Sequence, residues 1–133
     1  PLARAESLSP DRQRAERLAR LCQDSRDYGS TLRVMDRLVA SFPFVPRYWN
    51  DRAVARLLLK DEAGALGDLE EAIRLDPDLL TAYLTMGGVQ AARGRKDAAL
   101  RTYQKALARP VKRGEPAEVR RLLAAAFGSG RGL

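Results

Sequence analysis

The side chains that most often carry out acid–base and metal chemistry are scarce in this sequence. It has no histidine and a single cysteine, Cys22. Histidine is the commonest metal ligand and a frequent general base, so any catalysis would rest on carboxylates. The adjacent Glu70 and Glu71 fall on the outward face of a predicted helix, where a solvated surface explains them. With no glycine-rich phosphate loop either, we expect no catalytic site, no metal site and no bound cofactor in these 133 residues.

Cys22 and the absence of a long apolar run bear on location. A lone cysteine cannot form an internal disulfide, which fits a reducing compartment, and we expect Cys22 to be a small buried hydrophobe between helices. No run approaches the ~20 apolar residues that cross a bilayer, and the first ten residues lack the apolar centre of a signal peptide. These features favour a soluble chain, cytoplasmic rather than exported.

Basic side chains are concentrated near the C-terminus. Residues 80–133 carry eleven basic and three acidic side chains, whereas the whole chain has a net charge of +7. Such a surface can bind acidic protein, nucleic acid or an anionic membrane. It lacks the aromatic side chains that stack on bases, so we prefer a solvated outer face, and neither nucleic acid nor a membrane is expected as a partner. The residues of this basic surface are Arg101, Lys105, Arg109, Arg120 and Arg121.

The elements that hold these side chains repeat every 34 residues. Met35, Leu69 and Tyr103 align at that offset, and the apolar positions around them recur as the stripe of one helix face. A partner helix is predicted upstream of each stripe, and turn residues separate the two. The sequence therefore predicts three helix–turn–helix units, with upstream helices near 11–24, 46–59 and 79–92.

This unit resembles the tetratricopeptide repeat. The family pattern has a large aromatic, a small residue four places later, a small–large–small series in the second helix and a closing proline. The second repeat matches with Trp49, Ala53, Ala65, Leu69, Ala72 and Pro77. The third matches with Tyr83, Gly87, Gly94, Ala99, Tyr103 and Ala106, and the first lacks the aromatic. Small residues let paired helices approach closely, and large ones fill the hollows opposite them.

The resemblance implies an all-α superhelical solenoid of three repeats and a C-terminal capping helix. We expect one domain over 1–128, with repeats at 12–45, 46–79 and 80–113, a cap at 115–127 and a flexible tail at 128–133. The cap is predicted because a terminal repeat must cover its last apolar face. Its stripe is Val119, Leu122, Leu123, Ala126 and Phe127. Residues 1–8 are open between a short leading helix and disorder, and Ser9 is predicted to cap the first helix.

The second repeat departs from the commonest family pattern. Arg52 and Arg56 stand where apolar side chains are usual, and a variant of the family combines such arginines with an acidic residue, here Asp68. We expect one arginine to reach Asp68 with its stem over the seam between the two helices. Solvent-exposed arginines are the alternative.

The resemblance also implies a non-enzymatic module that binds a peptide or helix of another protein on its concave face, which the first helix of each repeat lines. The expected centre comprises Asn50, Val54, Leu57, Leu84 and Gly88, and the Asn50 amide can pair with a ligand's main chain. Two alternatives stay open: self-association as a homo-oligomeric scaffold, and binding through the basic surface. The candidate residues are Arg47, Asn50, Asp51, Val54, Leu57, Thr81, Leu84, Thr85 and Gly88.

The best-known ligand mode of the family clamps a C-terminal carboxylate between Lys, Asn and Arg side chains. The matching positions here are Glu16, Arg20, Asp51, Thr81 and Thr85. Two of these are acidic and two are neutral. We therefore predict that the clamp is absent and that peptides ending in Glu-Glu-Val-Asp do not bind.

Overall fold

The computed structural model describes residues 9–110 together with 116, 117, 119–121 and 124. Residues 9–110 form six helices that pair as three hairpins, each packed on the one before it. This arrangement confirms the predicted all-α solenoid. None of the described helices is long and apolar enough to cross a membrane. The helices are α1 (Pro10–Asp24), α2 (Tyr28–Ser41), α3 (Pro46–Leu58), α4 (Glu62–Leu75), α5 (Leu80–Ala92) and α6 (Lys96–Ala108).

Local sequence explains where the helices begin and turn. Ser9 and Asp61 accept hydrogen bonds from backbone N–H groups three residues later, which caps α1 and α4. The turn inside each hairpin contains one residue with a left-handed φ, and these residues are 34 positions apart: Arg26 at 61°, Lys60 at 71° and Gly94 at 78°. The same turn therefore occurs three times. Only the third turn has glycine at this position, and glycine adopts a left-handed φ without strain.

The helices of a hairpin approach closely because small residues line their contact. Ala53, Ala65 and Ala72 are fully buried around Leu69 in the α3–α4 hairpin. At Gly87, an added Cβ would lie 2.6 Å from the Tyr103 ring, so only glycine fits between α5 and α6. These contacts agree with the helical register predicted from the sequence.

The aromatic residue of the second and of the third repeat is joined by a hydrogen bond to the closing proline of the repeat before it. The Trp49 indole N–H donates to the Pro43 carbonyl at 2.9 Å. The Tyr83 hydroxyl donates to the Pro77 carbonyl at 2.6 Å. A polar tip on an otherwise apolar ring thus satisfies a loop carbonyl while the ring packs between repeats.

The predicted pairing of arginine with Asp68 is confirmed. Arg52 donates from Nε and Nη2 to the two Asp68 oxygens, at 3.0 and 2.8 Å, and Arg56 Nη1 donates to Oδ2 at 3.1 Å. Arg52 also pairs with Asp36 of α2 at 3.2 Å and lies 5.0 Å from the Trp49 ring centroid. The seam of the second hairpin is therefore ionic, and Arg52 links it to the first repeat.

The predicted capping helix falls largely outside the described residues. Val119 packs against the core cluster of Tyr83 and Ala106. Arg120 donates to the Ala106, Leu107 and Arg109 carbonyls, which lie at and just beyond the C-terminal end of α6. The remaining predicted cap positions, Leu122, Leu123, Ala126 and Phe127, and the predicted tail at 128–133 lie outside the described residues.

Candidate functional site

The predicted binding face is the side formed by α1, α3 and α5, called the groove below. At its first-repeat end, a crevice of about 100 Å³ opens between α1, α2 and α3. Its polar lining is Glu16, Arg20, Gln23, Thr31, Arg47 and Asp51, and the other lining residues are Ala19, Met35, Leu38 and Tyr48. Charged and apolar side chains therefore share the lining of the crevice about equally.

Glu16 is the centre of a polar network on one wall of the crevice. It accepts hydrogen bonds from Arg47 Nη2 at 2.7 Å and from the Tyr48 hydroxyl. Arg12 Nε donates to the same Tyr48 oxygen at 2.6 Å. Burial raises the pKa of Tyr48, and its hydrogen bond to Glu16 raises it further. Two arginines thus offset the Glu16 charge, one directly and one through the phenol.

The charge of Asp51 is less well compensated by nearby arginines than the charge of Glu16. Burial raises the pKa of its carboxyl, and the nearby Glu16 charge adds to that rise. The Arg47 and Arg20 charges and the Asn50 amide oppose it. Arg47, however, already pairs with Glu16. The carboxylate of Asp51 is therefore a desolvated anion on the crevice wall.

Asn50 does not stand on the groove surface as expected for the centre of a site. It is 8% exposed, and its Oδ1 has no hydrogen-bond partner among the described residues. The buried Oδ1 is therefore out of reach of the main chain of a ligand that lies on the surface. We place the centre of the candidate site at Asp51 and the crevice instead.

The other candidate residues extend the groove toward the third repeat. Leu57 is half-buried against the Leu69 cluster, and Leu84 is half-buried against the cluster of Tyr83 and Ala106. A Cβ added at the exposed Gly88 would be 3.9 Å from the Tyr103 hydroxyl oxygen, so there is room above it. This end is less charged than the crevice. The remaining members are Val54, Thr85, which donates to the Thr81 carbonyl at 2.8 Å, and the exposed Thr81.

The predicted basic surface is only partly present. Arg101, Lys105 and Arg121 are exposed. The prediction is wrong at Arg109, which is 6% exposed and donates to the Pro110 carbonyl at 3.1 Å. Helix α6 ends at Ala108 and Arg109 is extended, so its side chain leaves the stripe. Arg120 is also engaged, on the carbonyls near the α6 end.

Sequence reasoning missed three residues in or beside the crevice, and it placed one residue of another surface, Cys22, too deep. Arg12, Gln23 and Tyr48 were not singled out. Tyr48 aligns with the small Ala82 at the 34-residue offset, so a deviation from the repeat was the available signal. Cys22, expected to be buried, is partly exposed, because no helix among the described residues covers that side of α1.

Comparison with known proteins agrees with the geometry. No protein-family model matches the chain. It is 28% identical over 104 residues to the small glutamine-rich tetratricopeptide repeat-containing protein 2 of Mycosarcoma maydis, covering 78% of this chain and 28% of that protein. The chain therefore spans little more than a quarter of that relative.

Two solved structures are similar in fold. The first is the TPR2B domain of yeast Sti1 in its pHsp70 complex, with a TM-score of 0.78 and 22% identity over 90% of this chain and 98% of that one. The second is the first TPR of Spaghetti (RPAP3) bound to the HSP90 peptide SRMEEVD. Its TM-score is 0.69 and its identity 20%, over 89% of this chain and 96% of that one. The chain therefore has the fold of these tetratricopeptide repeat domains, and its sequence is similar to that of a tetratricopeptide repeat-containing protein.

Proposed function

We propose that this chain is a non-enzymatic protein-binding module that holds a peptide or helix segment of a partner in the groove. The observation that carries the proposal is the crevice between α1, α2 and α3, whose lining is shared by charged and apolar side chains. Its polar side chains can orient one residue of a ligand, and its apolar side chains can contact that residue. The solved neighbours bound to pHsp70 and to an HSP90 peptide support a peptide ligand.

The groove is charged at one end and mainly apolar at the other, which sets the chemistry of the segment it would hold. Asp51 and Arg20 offer opposite charges at the first-repeat end, whereas Leu84 and Gly88 offer an apolar, open surface at the third. We expect selected ligands to place a polar or charged residue near the crevice and an apolar one near Leu84. Leu84→Glu should weaken such a ligand at least tenfold, a loss of ~1.4 kcal/mol.

The experiment is to select binders from a random peptide display library and to measure synthetic versions by titration calorimetry. The matched control is Arg101→Glu, a charge change on exposed α6 away from the groove. Both variants should keep the helical circular-dichroism signal. If the selected peptides bind Leu84→Glu and Asp51→Asn as tightly as the unchanged chain, the groove is not the binding site.

The ligand we propose is different from a peptide ending in Glu-Glu-Val-Asp. At the matching positions, Asp51 is a desolvated carboxylate and Glu16 already accepts from Arg47. A further carboxylate there would meet like charge without a free cluster of cations. We expect SRMEEVD to show no binding by calorimetry at ~0.15 M salt, where exposed charges are screened beyond about 8 Å. Salt-sensitive binding in the low-micromolar range would contradict this.

A further inference from the structure

The first helix of the second and of the third repeat packs on the repeat before it. Arg52 of α3 pairs with Asp36 of α2, and Ala82 of α5 shares a core cluster with Ala72 of α4. These residues belong to a stripe at i, i+4 and i+7. None of its members is exposed in either repeat, and four of the six are buried. The members are Tyr48, Arg52 and Ala55 in α3, and Ala82, Met86 and Val89 in α5.

The same stripe in the first repeat is exposed. It consists of Arg14, Leu18 and Leu21, and the two leucines are 49% and 62% exposed. Single exposed leucines are ordinary, but neighbouring ones at positions covered in both other repeats indicate an interaction surface. Beside Leu18, a groove opens between α1 and α2. Its lining residues are Leu18, Cys22, Ser30, Arg33, Val34 and Arg37, and together with Leu21 they are called the first-repeat face below.

The rim of the first-repeat face is basic. Arg33 and Arg37 lie one turn apart on α2, and both are exposed. Arg33 donates to the Ser30 hydroxyl at 2.8 Å, which leaves its charge without a counter-ion in that contact. None of the described residues that line the groove is acidic. Charge therefore favours an acidic partner and disfavours a basic one.

The chain's own junctions show which kind of element fits a stripe of this type. In both junctions the covering element is the C-terminal half of a second helix, which combines an apolar ridge with an acidic residue. Helix α2 has Asp36 and Val39, and α4 has Glu70 and Ile73 at the equivalent positions. Val39 shares a core cluster with α3, and Ile73 packs against the cluster that contains Tyr83 of α5. An amphipathic helix laid into a groove is also a common mode of binding between proteins.

We infer that the first-repeat face binds an acidic amphipathic helix of a partner protein. The apolar ridge of that helix lies on Leu18, Leu21 and Val34, and its carboxylates face Arg33 and Arg37. An anionic membrane would also attract these arginines, but a groove between two helices fits the ridge of a third helix better than a lipid surface. The face shares no lining residue with the crevice, so the inference does not depend on the ligand proposed for the groove.

The probe is a synthetic peptide with the sequence of residues 62–77, EAGALGDLEEAIRLDP, acetylated and amidated at its ends. It contains α4, which carries the required apolar ridge and has five acidic residues and one basic residue. Fluorescence anisotropy of the labelled peptide measures its binding to the full 133-residue chain. We expect a dissociation constant below about 1 mM, in a weak range because an isolated helix of this length is largely unfolded before it binds.

Two variants test the two parts of the first-repeat face. Leu21→Glu should weaken binding at least about tenfold, because it places a carboxylate on the apolar stripe facing an acidic ligand. Arg33→Glu with Arg37→Glu should weaken it as much and should reduce its dependence on salt. The matched control is Leu59→Glu, which makes the same change at a leucine that is 43% exposed between α3 and α4. Its affinity should equal that of the unchanged chain, and all variants should keep the helical circular-dichroism signal.

The peptide also has a control of its own. With Glu70→Lys and Glu71→Lys it keeps its apolar ridge and should bind at least about tenfold more weakly. No binding of the original peptide at about 1 mM, or equal affinity for Leu21→Glu and the unchanged chain, would overturn the inference. Binding only to a chain that begins at Ser9 would also overturn it, because residues 1–8 would then occupy the face. Without peptide binding, dimerisation or binding to phosphatidylserine vesicles that Leu21→Glu abolishes would assign the face to a second copy or to a membrane.

Discussion

Asp68 shows how one buried charge depends on its partners. It is 3% exposed and accepts from both Arg52 and Arg56. Asp68→Val removes the shared buried anion and leaves Arg52 and Arg56 with only the more exposed Asp36 and Asp61, which should cost about 3 kcal/mol of unfolding free energy. Urea denaturation followed by circular dichroism measures the loss.

The first repeat suggests the compensating change. At the positions equivalent to Arg52, Arg56 and Asp68 it carries Leu18, Cys22 and Val34. Replacing the whole triad by Arg52→Leu, Arg56→Leu and Asp68→Val should return stability to within about 1 kcal/mol, because apolar residues of similar volume commonly replace buried ion pairs without loss. A triple variant no more stable than Asp68→Val would show that the triad has a packing role that apolar residues cannot fill.

Asp51 gives a pH dependence of the opposite sign to most paired carboxylates. Burial raises its folded-state pKa above the ordinary value of 3.8. As the pH rises past 3.8, the unfolded chain loses this proton first, so the folded state becomes relatively less stable until the folded pKa is passed. Asp51→Asn should therefore unfold at higher urea concentration than the unchanged chain at pH 7. The difference should vanish at pH values below 3.8.

The same measurement bears on function. A carboxylate that destabilises the fold is consistent with a binding role, since active surfaces often trade stability for function. Equal urea midpoints at pH 7 would mean that Arg47 and Arg20 fully offset the burial of Asp51.

At the scale of elements, the sequence predicted the helices closely and the side-chain exposure less well. The upstream helices expected near 46–59 and 79–92 are Pro46–Leu58 and Leu80–Ala92, because periodicity is a local property of the chain. The burial of Asn50 and Arg109 could not be predicted from the periodicity of the sequence. Arg109 Nη1 lies 3.5 Å from the Asp78 carbonyl, 31 residues away, and only the stacked hairpins bring those groups together.

Helix α6 and Arg109, which directly follows it, therefore carry two kinds of basic side chain. Arg101 and Lys105 are exposed, and exposed charges contribute little to stability. Arg101→Glu with Lys105→Glu should leave the melting temperature nearly unchanged. Arg109→Glu places a carboxylate beside backbone carbonyls at a buried position and should cost about 3 kcal/mol or more. Thermal melts of both variants distinguish them, and equal melting temperatures would contradict the burial of Arg109.

At the scale of the whole molecule, the core that the described residues form consists of three clusters joined by shared side chains. Trp49 packs against both the first and the second cluster, and Ile73 against both the second and the third. In a linear array, stability is the sum of each repeat and its interfaces with its neighbours. Coupling between the second and third repeats is therefore concentrated at residues such as Ile73.

Ile73→Ala should weaken that coupling more than it weakens either repeat. The substitution should lower the free energy of unfolding by about 2 kcal/mol, which is at the low end for such truncations because the Ile73 side chain is partly exposed. Hydrogen exchange should accelerate mainly in α5 and α6, the hairpin that loses its neighbour, while α1 and α2 change little. The control is Leu66→Ala, which removes a half-buried side chain packed against the second cluster alone. If both variants accelerate exchange in the same helices, the repeats unfold as one unit and Ile73 has no special part in joining them.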